Sequence, residues 1–163
     1  MDPRGLIDTG ALLALLDRDD KWHQACVIAF DRARLPLATS AAVLTELFHL
    51  LGDGRREHRA AWQLLRSGAI SVIGLGDDDL PALETLMERY ADCPMDFADA
   101  SLVLLARKLR VFDILTVDHN DFETYRIHGK RRFRILPARL PTARRRQIVA
   151  GAPDVRARLS CLW

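Results

Sequence analysis

Short apolar runs alternate with longer stretches of helical period along the first 136 residues. Residues 5–8 (Gly5-Leu6-Ile7-Asp8) form an apolar run closed by an acid, and 11–16 then reads as the start of a helix, so a strand feeds a helix. Residues 21–33 continue as a second helix, with Trp22, Cys26 and Phe30 spaced four apart, and 35–39 reads as a brief buried strand. Ser40 is placed to cap a helix over 41–51 that stops at Gly52, and 55–67 forms another that Gly68 closes in a left-handed turn. A third strand is expected at 69–73. Asp79 is placed to cap a helix over 80–90 that tolerates Pro81 in its first turn, and a strongly apolar helix follows at 96–109. Strands are expected again at 111–117 and 133–136, before Pro137 interrupts.

Strands this short, joined by helices with no hairpin turns, require crossover connections and a parallel sheet covered on both faces. The expected fold is therefore α/β, a three-layer α/β/α arrangement with a central parallel sheet of four to five short strands. At 163 residues and 49% hydrophobic content, the chain supports one domain with a sizeable core. That domain is assigned to 1–136, and 137–163 is a basic C-terminal extension in which Pro, Arg, Ala and Gly replace the periodic pattern. Leu162 and Trp163 are apolar at an otherwise polar end, which suggests that this extension docks on a partner or on a second copy of the chain. No apolar run is long enough to span a membrane and the amino terminus lacks an export pattern, so a cytoplasmic protein is expected.

Charge changes the picture more than composition does. Of the 24 Lys/Arg and 22 Asp/Glu, 11 and one fall in residues 126–163, which leaves 13 and 21 in 1–125. A basic end beside an acidic body suits a polyanionic partner, although a solvated Arg-rich terminus reads equally well from charge alone. Arg126, Lys130, Arg131, Arg132 and Arg134 form the best basic patch for holding a nucleic-acid strand. Three distant cysteines and no His-Glu-x-x-His spacing exclude a zinc framework, so any metal must be held mainly by oxygen, which favours magnesium or manganese. Gly74-Leu75-Gly76 lacks the third glycine of a dinucleotide fingerprint, and Asp77-Asp78-Asp79 would repel a pyrophosphate.

Sites in open parallel sheets form beyond the carboxyl ends of the strands, where Asp8 and Asp118 fall. Asp8 would serve equally as a helix cap, and Asp118 as a turn former. Two further acids interrupt apolar helix faces: Glu46 among Ala42, Val43, His49 and Leu50, and Asp99 among Met95, Asp96, Leu102 and Val103. Aspartate is a poor mid-helix residue, and a buried carboxylate without a cation partner is costly. His49 reads as a packed or hydrogen-bonded residue, not a catalyst.

Leu6-Ile7-Asp8-Thr9, Thr45-Glu46-Leu47, Asp96-Phe97-Ala98-Asp99-Ala100 and Leu115-Thr116-Val117-Asp118 with Asp121-Phe122 together resemble the ordered acidic motifs of the PIN domain family, over roughly residues 4–136. The resemblance implies a metal-dependent endoribonuclease, often the toxin half of a VapBC toxin–antitoxin pair, with RNA as substrate, a cognate antitoxin as partner and a homodimer as the assembly. It places Asp8, Glu46, Asp99 and Asp118 as catalytic metal ligands for Mg2+ or Mn2+, Asp96 as a supplementary ligand, and Thr9 and Thr116 as supporting hydroxyls. Paired ions could then activate a water for in-line attack on phosphorus and neutralise the leaving oxygen. A housekeeping RNA-processing nuclease, a metal-dependent phosphatase and a non-catalytic binding module are the competing readings.

Overall fold

The computed structural model describes residues 2–93 and 95–139. Five short strands, β1 (Leu6–Ile7), β2 (Leu37–Ser40), β3 (Ile70–Ile73), β4 (Asp113–Leu115) and β5 (Arg134–Leu136), form one sheet in the order β3-β2-β1-β4-β5. Every pairing is parallel: Leu6 lies beside Ala38 and Ile114, Ile7 beside Leu115, Ala38 beside Ser71, and Ile114 beside Ile135. The expected α/β class and the sheet of up to five strands are met. All strands point the same way, so one sheet edge gathers every strand's carboxyl end and the opposite edge every amino end.

Among the described residues seven α-helices make the crossovers: α1 (Thr9–Leu16), α2 (His23–Arg32), α3 (Ala41–Leu50), α4 (Arg55–Arg66), α5 (Leu80–Arg89), α6 (Phe97–Leu109) and α7 (His119–Thr124). Leu6, Ile7, Ala38 and Ile114 are fully buried, as expected for central strands covered on both faces. Helix α6 packs on β2 and against α3 and α5, while α1 packs against α2, α3 and α4. Eight of the nine positions from Ala98 to Ala106 are buried, Asp99 being the exception, which is why the α6 segment reads as so apolar.

Several local expectations hold in detail. The Ser40 hydroxyl accepts the Val43 amide at 3.2 Å as the α3 cap, and Gly68 takes φ +81° after α4. Others are corrected. Asp79 does not cap α5 with its side chain: the carboxylate accepts the Gly76 amide at 3.0 Å and pairs with Lys108 at 2.8 Å, within a 3-10 turn over Asp77–Asp79. Residues 119–124, for which the sequence pattern predicts no helix, form α7 behind Asp118. His49 is exposed rather than packed, because it falls on the outer face of α3. Cys26 is a buried free thiol whose pKa burial pushes up to about 12, and Cys93 is half-buried. Among the described residues no helix is long and apolar enough to cross a membrane. The expected docking of 137–163, with Leu162 and Trp163, lies outside the described residues beyond Arg139.

Candidate active site at the carboxyl edge of the sheet

Asp8 stands at the step from β1 into α1 and is only 7% exposed. Capping and functional readings of this residue are compatible, since one carboxylate does both jobs. Oδ1 accepts the Thr9 amide at 2.7 Å, and Oδ2 accepts the Thr116 hydroxyl at 2.9 Å from just past β4. Thr116 in turn accepts the Asp118 amide at 3.0 Å, so one hydroxyl ties the ends of two neighbouring strands together. The Thr9 hydroxyl donates to Glu46 Oε2 at 2.6 Å and fixes α3 to the start of α1. Gly10 is required by space: a Cβ there would lie 2.6 Å from Val117 Cγ2.

Asp99 is not a mid-helix residue. Asp96 is the cap of α6 and its Oδ1 accepts the Asp99 amide at 2.8 Å, which puts Asp99 in the first turn, where the helix dipole favours an acid. Its company is nonetheless hostile to charge. It is half-buried, and Oδ2 accepts the Tyr125 hydroxyl at 2.9 Å. Asp118 caps α7 by accepting the Asp121 amide at 3.2 Å. Helix α7 is held by His119, buried and stacked on Trp22 at 5.1 Å, with Nε2 2.9 Å from the Pro137 carbonyl.

The electrostatics couple these acids. Burial, then the Glu46 charge, push the Asp8 pKa up to about 6, against hydrogen bonds from Thr116 and from the Thr9 and Gly10 amides. Burial, then the charges of Asp8 and Asp96, push Asp99 up to about 8, with the Tyr125 hydroxyl opposing. Asp121 is raised by burial and by Asp118 and Asp96. Burial and the charge of Asp99 raise the Tyr125 phenol.

Asp8, Glu46, Asp96 and Asp99 thus form one interacting group. Asp118 joins through Thr116 and through Asp121, whose own neighbours include Asp96 and Asp99. As the side chains stand, among the described residues no three His, Cys, Asp or Glu are drawn tightly enough to grip an ion. Unneutralised carboxylates about 5 Å apart repel by roughly 3 kcal/mol at an effective dielectric near 20, a cost that a divalent cation would offset. The donor set is all oxygen, negative and partly desolvated, and it fits a hard divalent cation such as magnesium or manganese.

Two neighbours of the site were not assigned a role from sequence. Asp121 follows Asp118 by one helical turn and Tyr125 follows Asp121 by another, so the spacing 118, 121, 125 was the available signal once α7 is known to be helical. The basic run from Arg126 to Arg134 does not gather in one place. Arg126 Nη1 donates to the carbonyls of Glu123, Thr124 and Tyr125 at 2.7, 2.6 and 2.9 Å and closes the end of α7. The Arg131 guanidinium lies 3.6 Å over the Phe112 ring, and Arg134 pairs with Asp113, both at the amino end of β4. Lys130 and Arg132 are exposed in the connecting turn. Arg131 and Arg134 therefore belong to the sheet edge opposite the acids, because the parallel register of β5 on β4 carries them there.

Known proteins are similar to this chain in sequence and in fold. Ribonuclease VapC26 of Mycobacterium tuberculosis (strain ATCC 25618 / H37Rv) is 31% identical over 134 residues, which span 81% of this chain and 99% of that protein. The crystal structure of Mycobacterium tuberculosis VapC20, a Sarcin-Ricin loop cleaving toxin, superposes with a TM-score of 0.65 over 71% of this chain and 91% of that one. At 22% identity, that likeness is one of fold. The profile described as PIN domain matches residues 5–127, a span that contains Asp8, Glu46, Asp99 and Asp118, and the chain belongs to the PIN domain family.

Proposed function

We propose that the chain is a divalent-cation-dependent endoribonuclease that hydrolyses RNA phosphodiester bonds, acts in the cytoplasm as the toxin of a toxin–antitoxin pair, and is held in check by a cognate antitoxin. The observation that carries this reading is the environment of Asp8: a buried carboxylate, both oxygens engaged, inside a group of further acids whose charges burden one another. The name of the 31%-identical relative, a ribonuclease, supports RNA as substrate, and its VapC designation supports the pairing with an antitoxin. We further assign the assembly as a homodimer.

Asp8, Glu46, Asp99 and Asp118 hold the cation, with Asp96 and Asp121 at the margin. When bound, Mg2+ or Mn2+ supplies neutralising charge and an acidified water, chemistry that no Lys or His among the described site residues is placed to replace. The chain's own residues provide placement. Thr116 orients Asp8 and anchors the loop of Asp118, Thr9 orients Glu46, and Tyr125 orients Asp99. The rigidity of these four hydroxyl contacts sets where oxygen donors converge once repulsion is relieved.

Purified protein incubated with structured RNA should cut internally in magnesium and stop on chelation, while leaving a generic phosphate monoester intact. Ester turnover with intact RNA would reverse the assignment in favour of a phosphatase.

A further inference from the structure

The geometry points to a second RNA-contacting surface, at the amino edge of the sheet, where an arginine-rimmed cleft holds phosphates of the RNA flanking the cut segment. This inference rests on the ribonuclease reading above, and it concerns a face of the molecule remote from the acids.

Sheet topology builds the surface. In a wholly parallel sheet, the residues just before or at the start of each strand collect on one edge, and here Arg4 precedes β1, Arg34 precedes β2, Arg110 precedes β4 and Arg134 opens β5. Arg32, at the end of α2, joins them around a cleft of about 920 Å³. The floor is apolar, with Ala25, Ile28 and Ala29 of α2 facing Leu37, Val111 and Leu136. Five arginines and two aspartates line it, and one of those aspartates, Asp113, is already engaged by Arg134. Arg4, Arg32, Arg34 and Arg110 are exposed and make no ion pair with a carboxylate among the described residues.

The charge, the fork geometry and the needs of the chemistry agree. Guanidinium groups match phosphate bidentately, and they remain charged at every working pH. The acidic edge repels a polyanion, so binding energy for a long RNA must come from elsewhere on the protein. The Arg131 guanidinium, 3.6 Å over the ring of cleft-lining Phe112, presents a cation beside which an unstacked base can lie. Residues 140–163 carry five arginines and one acid, the same sign as the rim, and so cannot neutralise it.

Arg110 offers a discriminating substitution. It occupies the left-handed region at φ 56°, where glycine is preferred, so Arg110→Gly removes a charge while relieving backbone strain. The test uses the full chain with Arg4→Ala, Arg32→Ala, Arg34→Ala and Arg110→Gly combined, in chelator so that no cutting occurs. Binding of a fluorescein-labelled hairpin RNA, followed by anisotropy across a salt series, should weaken about tenfold or more at low salt, and the slope of log K against log salt should flatten by about 3. The matching lysine variants should keep most of the affinity, and Arg110→Gly alone should melt no lower than the parent while binding RNA less well. In magnesium, a di- or trinucleotide substrate should be cut at the parental rate, whereas a long RNA should show a raised KM with kcat unchanged. Unaltered affinity and salt slope in the combined variant would overturn the surface, as would a polyglutamate probe that binds the rim while RNA ignores it. Rim-dependent binding by a parent that cuts no RNA would sustain the surface and remove the nuclease reading instead.

Discussion

Thr116 and Asp8, 108 positions apart in the chain, meet at 2.9 Å through a buried hydroxyl and a buried carboxylate. That single contact joins the carboxyl ends of β4 and β1, and it lowers the cost of a charge that burial opposes. Thr116→Val keeps the shape and deletes the donor. Cleavage should fall about 10- to 100-fold, the range seen when partners of metal ligands are removed, with manganese affinity falling in step by calorimetric titration. A variant that retains full affinity and rate would show that Asp8 needs no such support.

Asp8→Asn should separate activity from stability. The amide can still accept from the Thr9 N–H and donate to the Thr116 oxygen, while the buried negative charge and its repulsion from Glu46 and Asp99 disappear. Metal-free variant protein should melt at or above the parental temperature, and RNA cleavage should drop by about two orders of magnitude or more. A marked loss of melting temperature would mean that the carboxylate serves the fold first.

The elevated Asp8 and Asp99 carboxyls set the pH dependence of the metal-free protein. A carboxyl whose folded pKa lies above its unfolded value near 4 stabilises the fold fully when protonated, and this stability drains away as pH rises through the folded pKa. With values of about 6 for Asp8 and about 8 for Asp99, chelated protein should lose melting temperature between about pH 4 and pH 8, most steeply below pH 6 where both groups contribute. For buried Asp8 alone, an elevation of this size corresponds to about 3 kcal/mol. Saturating magnesium should flatten or reverse the trend, because cations bind the deprotonated form. Melting curves that are level with pH in chelator would contradict the clustering of these acids.

Gly10 and Val117 approach closely beside Asp8. Gly10→Ala brings a methyl into Val117 Cγ2 and should cost about 1–3 kcal/mol, together with cleavage, since Asp8 and Thr9 sit directly beside it. Val117→Ala opens that space, so the double variant should recover much of both losses. Failure to recover would place the defect in the α1 backbone and not in the contact.

Much of this was legible in the sequence. Apolar runs of three or four residues ending in Asp8 and near Asp118 identify strand ends, and a parallel sheet brings strand ends together. Glu46 and Asp99 stand out because an acid on an apolar helix face is costly without a purpose. Asp99 was read for partly the wrong reason: Asp96 caps α6, so Asp99 lies at the helix start, and it is burial among other acids that marks it. Helix α7 was missed because His-Asn-Asp is poor helix-forming sequence that tertiary contacts of His119 override, and with it went the spacing that reveals Asp121 and Tyr125. Which edge the basic run would occupy depended on the register of β5, a long-range property that local pattern does not carry.

Strand β1 is only two residues long, yet it lies in the middle of the sheet and shares ladders with β2 and β4. The Asp8 amide itself donates to Leu115 at 3.0 Å. The backbone at Asp8 therefore cannot move without parting the centre of the sheet, so amide exchange at Leu6, Ile7 and Asp8 should be as slow as global unfolding allows. A partner that reaches Asp8 would meet a backbone already held in place, because displacing it means opening the central ladder.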